Sequence, residues 1–171
     1  MDRENKVCCF FGHRKLTETE NLIKWLYKTI ENLIIYERVD TFLFGSKSTF
    51  DQLCHTIVTE LKEEYPHIRR IYVRAEYPYI SNNYKTYLPE KYEDTYYPEK
   101  VLNAGRASYI KRNFEIIDKS DFCIIYYDKD YSLPSKQHIQ HILPDYQAKS
   151  GTEIAYSYAK RKKKKIINSF H

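Results

Sequence analysis

Five short runs of apolar and β-branched residues constrain this chain more than any other feature: Lys6 to Phe11, Asp40 to Phe44, Arg70 to Ala75, Asp121 to Tyr127 and Lys165 to Asn168. Each is nearly continuous, as in parallel strands covered on both faces, whereas a half-solvated strand alternates. Helical periods lie between them. Leu22, Leu26, Ile30, Leu33 and Ile34 form one stripe, which a capping box of Thr17 and Glu20 starts. Phe50, Leu53, Ile57, Val58 and Leu61 form a second, closed by Pro66 after Tyr65. Ala107, Ile110, Phe114 and Ile117 form a third, and Ile154, Ala155, Tyr158 and Ala159 a fourth. The order β-α-β-α-β-α-β-α-β predicts an α/β, Rossmann-like three-layer domain with an open, mainly parallel five-stranded sheet.

With 171 residues the chain fits a single domain over 1–171. At 42% hydrophobic and 30% charged residues it is too apolar for a disordered chain and too charged for a membrane protein. No apolar run approaches the roughly 20 residues that cross a bilayer. The start, with Asp2, Arg3, Glu4 and Lys6, lacks the basic-then-apolar form of a secretion signal, so the cytoplasm is the expected address. Cys8, Cys9, Cys54 and Cys123 lie in apolar stretches without CxxC spacing and read as small buried hydrophobes, not as a zinc site or disulfide framework. The net charge of +5 leans toward anionic ligands. Much of it sits in Lys160, Arg161, Lys162, Lys163, Lys164 and Lys165, at the end of a predicted helix, where cations complement the helix dipole. A nucleic-acid patch or a targeting signal is the alternative for that run.

There are only four glycines, and all fall at element boundaries. Gly12 and Gly45 follow the first two strands, where open α/β sheets bind ligands; Gly105 and Gly151 open the third and fourth helices. Tight turns alone would also explain them. Beside Gly12 stand His13, a hydrogen-bonding side chain that is charged or neutral near pH 7, and Arg14, whose fork suits phosphate. Gly45 leads into Ser46, Lys47 and Ser48, then Asp51: hydroxyls and N–H groups for a phosphate or ribose, with Ser48 equally suited to cap the helix. No Walker A loop is present. Arg112 and Asn113 lie off the buried face predicted for the third helix. Ser150, Gly151, Thr152 and Glu153 open the fourth, where small residues let a phosphate approach free N–H groups.

Two long insertions interrupt the pattern, at 77–104 and 128–150. The first packs seven tyrosines into Tyr77 to Tyr97 and reads as a lid, a partner surface or a loop folded on its own rings. The second holds His138 and His141 without a third ligand, so no metal is expected.

Together, Cys8-Cys9-Phe10-Phe11-Gly12-His13-Arg14, Phe42-Leu43-Phe44-Gly45 with Phe50-Asp51, Tyr97-Pro98-Glu99, Arg112-Asn113 with Ser120-Asp121, and Ser150-Gly151-Thr152 leading to Ile166-Ile167-Asn168 resemble the SLOG superfamily. Within it, the chain is similar to small bacterial stand-alone members with an FTGHR-like first loop. The resemblance implies a Rossmann-like fold that binds nucleotides or nucleotide-derived ligands, NAD-related metabolites included, at the strand carboxyl ends. It also implies a homodimer. Related Lonely Guy phosphoribohydrolases carry MxxRKxxM and PGGxGTxxE. Here Tyr109, Arg112, Asn113 and Ile116 align with the first pattern, the lysine replaced by Asn113. Gly151 and Thr152 match the GT pair of the second, but the double glycine is missing and the catalytic glutamate position falls on Ala155. Glu153 is two residues early, leaving Glu115, Glu99 or Asp51 as substitutes. Without a placed carboxylate, cleavage of an N-glycosidic bond loses its main catalytic group. The expectation is therefore a nucleotide-binding or sensing protein without a cofactor, its ligand lined by the residues named around Gly12, Gly45, Arg112 and Gly151. Alternatives are a nucleoside monophosphate phosphoribohydrolase and a single-stranded nucleic-acid binder.

Overall fold

The computed structural model describes residues 4–45, 48–75, 90–130 and 150–170. In chain order these form β1 (Lys6–Gly12), α1 (Glu20–Tyr36), β2 (Val39–Phe44), α2 (Thr49–Glu64), β3 (Arg69–Val73), β4 (Asp94–Tyr96), α3 (Glu99–Leu102), a 3-10 turn at Gly105–Ala107, α4 (Ser108–Asp118), β5 (Phe122–Tyr126), α5 (Gly151–Arg161) and β6 (Lys165–Asn168). Ser46, Lys47, residues 76–89 and residues 131–149, with His138 and His141, lie outside the described residues.

All pairings are parallel, in the order β4-β3-β2-β1-β5-β6. The chain moves outward from β1 through β4, then returns to place β5 on the other side of β1. That reversal makes a topological switch point between β1 and β5, the place where open α/β sheets have their ligand crevice. Alternate strand residues feed two cores. Cys8, Phe10, Phe42, Phe44, Phe122 and Ile124 pack with α1 and α2, and Cys9, Phe11, Leu43, Cys123 and Ile125 with α4 and α5. The result is the expected three-layer arrangement, and the four cysteines are free and buried within it.

Three expectations need correction. Among the described residues the sheet has six strands instead of five. The added β4 lies inside the segment 77–104 read as a loop; Asp94-Thr95-Tyr96 is too short and too polar to register as a strand. What anchors this edge is Glu93, whose carboxylate accepts from Arg70 Nε at 3.0 Å and from Lys62 Nζ at 2.9 Å. Next, Thr19 caps α1, not Thr17: its hydroxyl accepts from the Leu22 N–H at 3.1 Å, and the helix begins one residue later at Glu20. Finally, α4 is turned relative to its predicted stripe. Ser108, Arg112, Ile116 and Ile117 are buried, while Ala107 and Ile110 are exposed and Phe114 is half-buried. The pattern assigned the core to apolar residues, whereas a charged one occupies it.

The basic run ends α5 and turns into β6. Lys164 donates to the Asp118 carbonyl at 3.2 Å and Lys162 lies 3.9 Å from its carboxylate, so the run borders the amino edge of the sheet, opposite the crevice.

Candidate functional site at the carboxyl edge of the sheet

Arg112 is the centre of this edge. It is 6% exposed, contrary to the expectation that it points off the buried face. Its Nη1 donates to the Gly45 carbonyl at 2.6 Å and its Nε to Asn113 Oδ1 at 3.1 Å, so the two neighbours from the sequence motif act together, one orienting the other. A guanidinium tolerates such burial because its charge is met by hydrogen-bond acceptors. Gly45 makes the approach possible: a Cβ there would stand 2.8 Å from Arg112 Cδ and 2.8 Å from Ile116 Cδ1.

From the opposite layer comes α2. Ser48 is its N-cap, with Oγ accepting from the Asp51 N–H at 3.1 Å, which settles its local role. The Thr49 N–H and Oγ1 donate to the Arg14 carbonyl at 3.0 and 2.9 Å. The α2 terminus is thereby tied to the loop after β1, and Gly12 admits it: a Cβ on Gly12 would lie 2.3 Å from Phe50 Cβ. The Arg14 side chain itself is exposed.

Asp51, in the first turn of α2, is 3% exposed, and its Oδ1 has no hydrogen-bond partner. Burial pushes its carboxyl well above the usual carboxylate range, and the Arg112 charge only partly opposes this.

At the end of β1, His13 is 2% exposed and its Nε2 accepts from the Asp128 N–H at 2.7 Å. An accepting Nε2 makes the ring neutral with its proton on Nδ1. Burial lowers its pKa, with Asp128 working against the shift. His13 thus ties β1 to the loop after β5 instead of presenting a cation.

The last group opens α5. Ser150 is the N-cap, with Oγ accepting from the Glu153 N–H at 3.0 Å. Thr152 is buried, Glu153 half-buried and Gly151 exposed, with no atom within 4 Å of where its Cβ would be. Unlike Gly12 and Gly45, this glycine is not demanded by its described neighbours.

The structure therefore gathers Gly45, Asp51, Arg112 and Asn113 at the end of β2, and Gly12 and His13 at the end of β1. Ser150, Gly151, Thr152 and Glu153 are reached across β5. Of the substitute carboxylates, Glu115 is engaged by Lys100 at 3.0 Å and Lys119 at 3.1 Å. Ala155 is 1% exposed and packed into the apolar cluster of Cys9, Phe11 and Leu43.

Sequence reasoning missed Arg74. It is buried just beyond the carboxyl end of β3, its guanidinium 5.2 Å from the centre of the Tyr97 ring. The available signal was a charge at the end of an otherwise apolar run, where parallel strands meet ligands. Among the described residues, no three His, Cys, Asp or Glu side chains group to hold a metal, and no helix is long and apolar enough to cross a membrane.

No curated protein matches the chain. The model of the YspA SLOG family matches residues 4–161, nearly the full length of this sheet and its helices, and the chain belongs to that family.

Proposed function

We propose that the protein binds a nucleotide or a nucleotide-derived, NAD-related metabolite across the carboxyl edge of the sheet, as a sensor or sequestering protein. SLOG membership supports a nucleotide-related binding or processing role in general. The observation that carries the finer reading is the burial of Arg112 against Gly45, which fixes a permanent positive charge at the strand ends. The opening of α5 at Ser150, Gly151 and Thr152 adds N–H groups suited to a phosphate. Binding is favoured over glycosidic cleavage because Ala155, at the position of the catalytic glutamate of the Lonely Guy phosphoribohydrolases, is sealed within the core.

The test is thermal unfolding of the full chain against nucleoside mono-, di- and triphosphates, cyclic nucleotides, NAD and ADP-ribose. At 100 times its dissociation constant a ligand adds about 2.7 kcal/mol, a rise of roughly 5 to 10 °C for a domain of this size. Arg112→Lys keeps the charge but loses the fork, and is expected to reduce that rise. Arg112→Ala is the poorer probe, because it strips a buried partner from the Gly45 carbonyl. No shift with any nucleotide refutes the reading, and release of free base from a nucleoside monophosphate would establish a phosphoribohydrolase instead.

A further inference from the structure

The cations where α5 turns into β6 exceed what a helix end requires. The helix dipole favours positive charge within the last turn, and Lys160 and Arg161 supply it. Lys163, Lys164 and Lys165 lie past that turn, so the dipole does not account for them.

Lys163 also holds a conformation that works against a side chain. Its φ is 57°, in the left-handed region where glycine commonly closes a helix. Arg38 stands in the same place after α1, with a φ of 61°. Both helices thus end at the amino edge of the sheet with a cation where glycine would cost less, and folding alone does not call for that.

The backbone sets these cations in a row. Val39, Lys6, Phe122 and Lys165 begin four adjacent strands, β2, β1, β5 and β6, across about 14 Å. The Lys6 N–H donates to the Arg38 carbonyl at 3.1 Å, and Lys6 Nζ and Lys165 Nζ lie 5.6 and 5.3 Å from the centre of the Phe122 ring. Nearby carboxylates are already engaged: Glu37 by Lys6 at 3.3 Å, Asp118 by the Tyr158 hydroxyl at 2.8 Å, Asp121 by the Val7 N–H at 2.9 Å and Asp40 by the Thr41 hydroxyl at 2.9 Å. Among the described residues, Arg38, Lys160, Lys163 and Lys165 make no ion pair.

Unmatched cations along rigid strand ends complement a chain of regularly spaced negative charges, which a nucleic-acid backbone is. A membrane surface would need an apolar face to insert. The rings beneath the cations are closed off, Phe122 being 4% and Tyr158 9% exposed, and Ile35 and Tyr36 at the end of α1 do not make such a face. Tyr36 is 76% exposed and adjoins Glu37, which Lys6 grips, so a flat ring stands at one end of the row. Such a ring stacks on an unpaired base.

We propose that the amino edge of the sheet, from Arg38 through Lys6 to Lys163 and Lys165, is a second anion-binding surface that takes the backbone of a single-stranded nucleic acid, with Tyr36 stacking on a base. It is independent of the nucleotide reading, whose site lies at the other edge.

Fluorescence anisotropy of labelled 20-residue oligouridylate and oligothymidylate with the full chain tests this. If the four unpaired cations each neutralise one phosphate, affinity is expected to fall about fiftyfold between 50 and 200 mM salt. Lys163→Glu combined with Lys165→Glu, both exposed positions, is expected to weaken binding about tenfold or more at 50 mM salt and to flatten the salt dependence. Lys163→Gly is the finer probe: it removes charge and backbone cost together, and is expected to bind more weakly yet unfold at a higher temperature. Arg112→Lys is expected to bind the oligonucleotides as the wild type does. No oligonucleotide binding at 50 mM salt overturns the proposal, as does affinity unchanged in the double variant. Tighter binding of a duplex of the same length overturns the single-strand assignment, and binding of phosphatidylserine vesicles without oligonucleotide binding makes the edge a membrane surface instead.

Discussion

Asp51 carries a cost in stability at the level of a single carboxyl group. In the unfolded chain it titrates near 3.9; in the folded protein burial moves it well above that, with Arg112 opposing. Between those two values the folded state binds more protons than the unfolded one, so stability falls as pH rises through the window. At neutral pH that penalty is present. Asp51→Asn is therefore expected to unfold at a higher temperature than the wild type at pH 7, with the difference closing near pH 4. Equal unfolding temperatures at both values would remove the argument. Arg112 shows why residue roles were only partly legible. Sequence alone marked it as a phosphate ligand and placed it on a solvated face. Its burial depends on the Gly45 carbonyl, 67 positions away, and no periodicity within α4 encodes that bond.

Secondary elements were the most legible scale. The runs Lys6 to Phe11 and Asp121 to Tyr127 became β1 and β5 almost residue for residue, because a strand buried on both faces has little freedom in composition. Ser48 and Tyr65 bound α2 as its hydroxyl and the following Pro66 require. Strand β4 was invisible for the opposite reason: its three residues, Asp94-Thr95-Tyr96, carry little apolar area, and ion pairs to the adjoining Glu93 help to hold it. Burial alone would raise the Glu93 pKa, yet hydrogen bonds from Arg70 and Lys62 bring it below its ordinary value. Glu93→Gln is expected to cost about 1 to 3 kcal/mol. Chemical denaturation measures that loss, and hydrogen exchange at Thr95 and Tyr96 reports whether β4 frays before the remaining strands do. Unchanged exchange at those amides would mean that backbone pairing alone holds the edge.

For the whole molecule, one buried and one half-buried histidine set a lower pH limit. His13 and His55 both have pKa values depressed chiefly by burial, opposed at His13 by Asp128 and at His55 by its bond to the Lys91 carbonyl. The unfolded chain takes up protons at about 6.5, before the folded one does, so their contribution is complete above that pH and is lost as pH falls below it. Asp51 acts in the other direction. The histidine share is thus the difference between the wild type and a His13→Gln, His55→Gln variant, and the variant is expected to lose less stability between pH 7.5 and 5.5. Parallel slopes for the two proteins would discard the idea.

The bonds that shape the crevice join distant parts of the chain. Arg112 reaches back 67 positions to Gly45, and Asp128 reaches back 115 to His13. Contacts of that separation close large loops, whose entropy has to be met before they stabilise the fold. A half-made chain, with β1 to β4 in place and α4 not yet docked, has no crevice to fill. Whatever the site binds thus recognises only the finished protein, and acts on how long that protein lasts instead of how fast it is made.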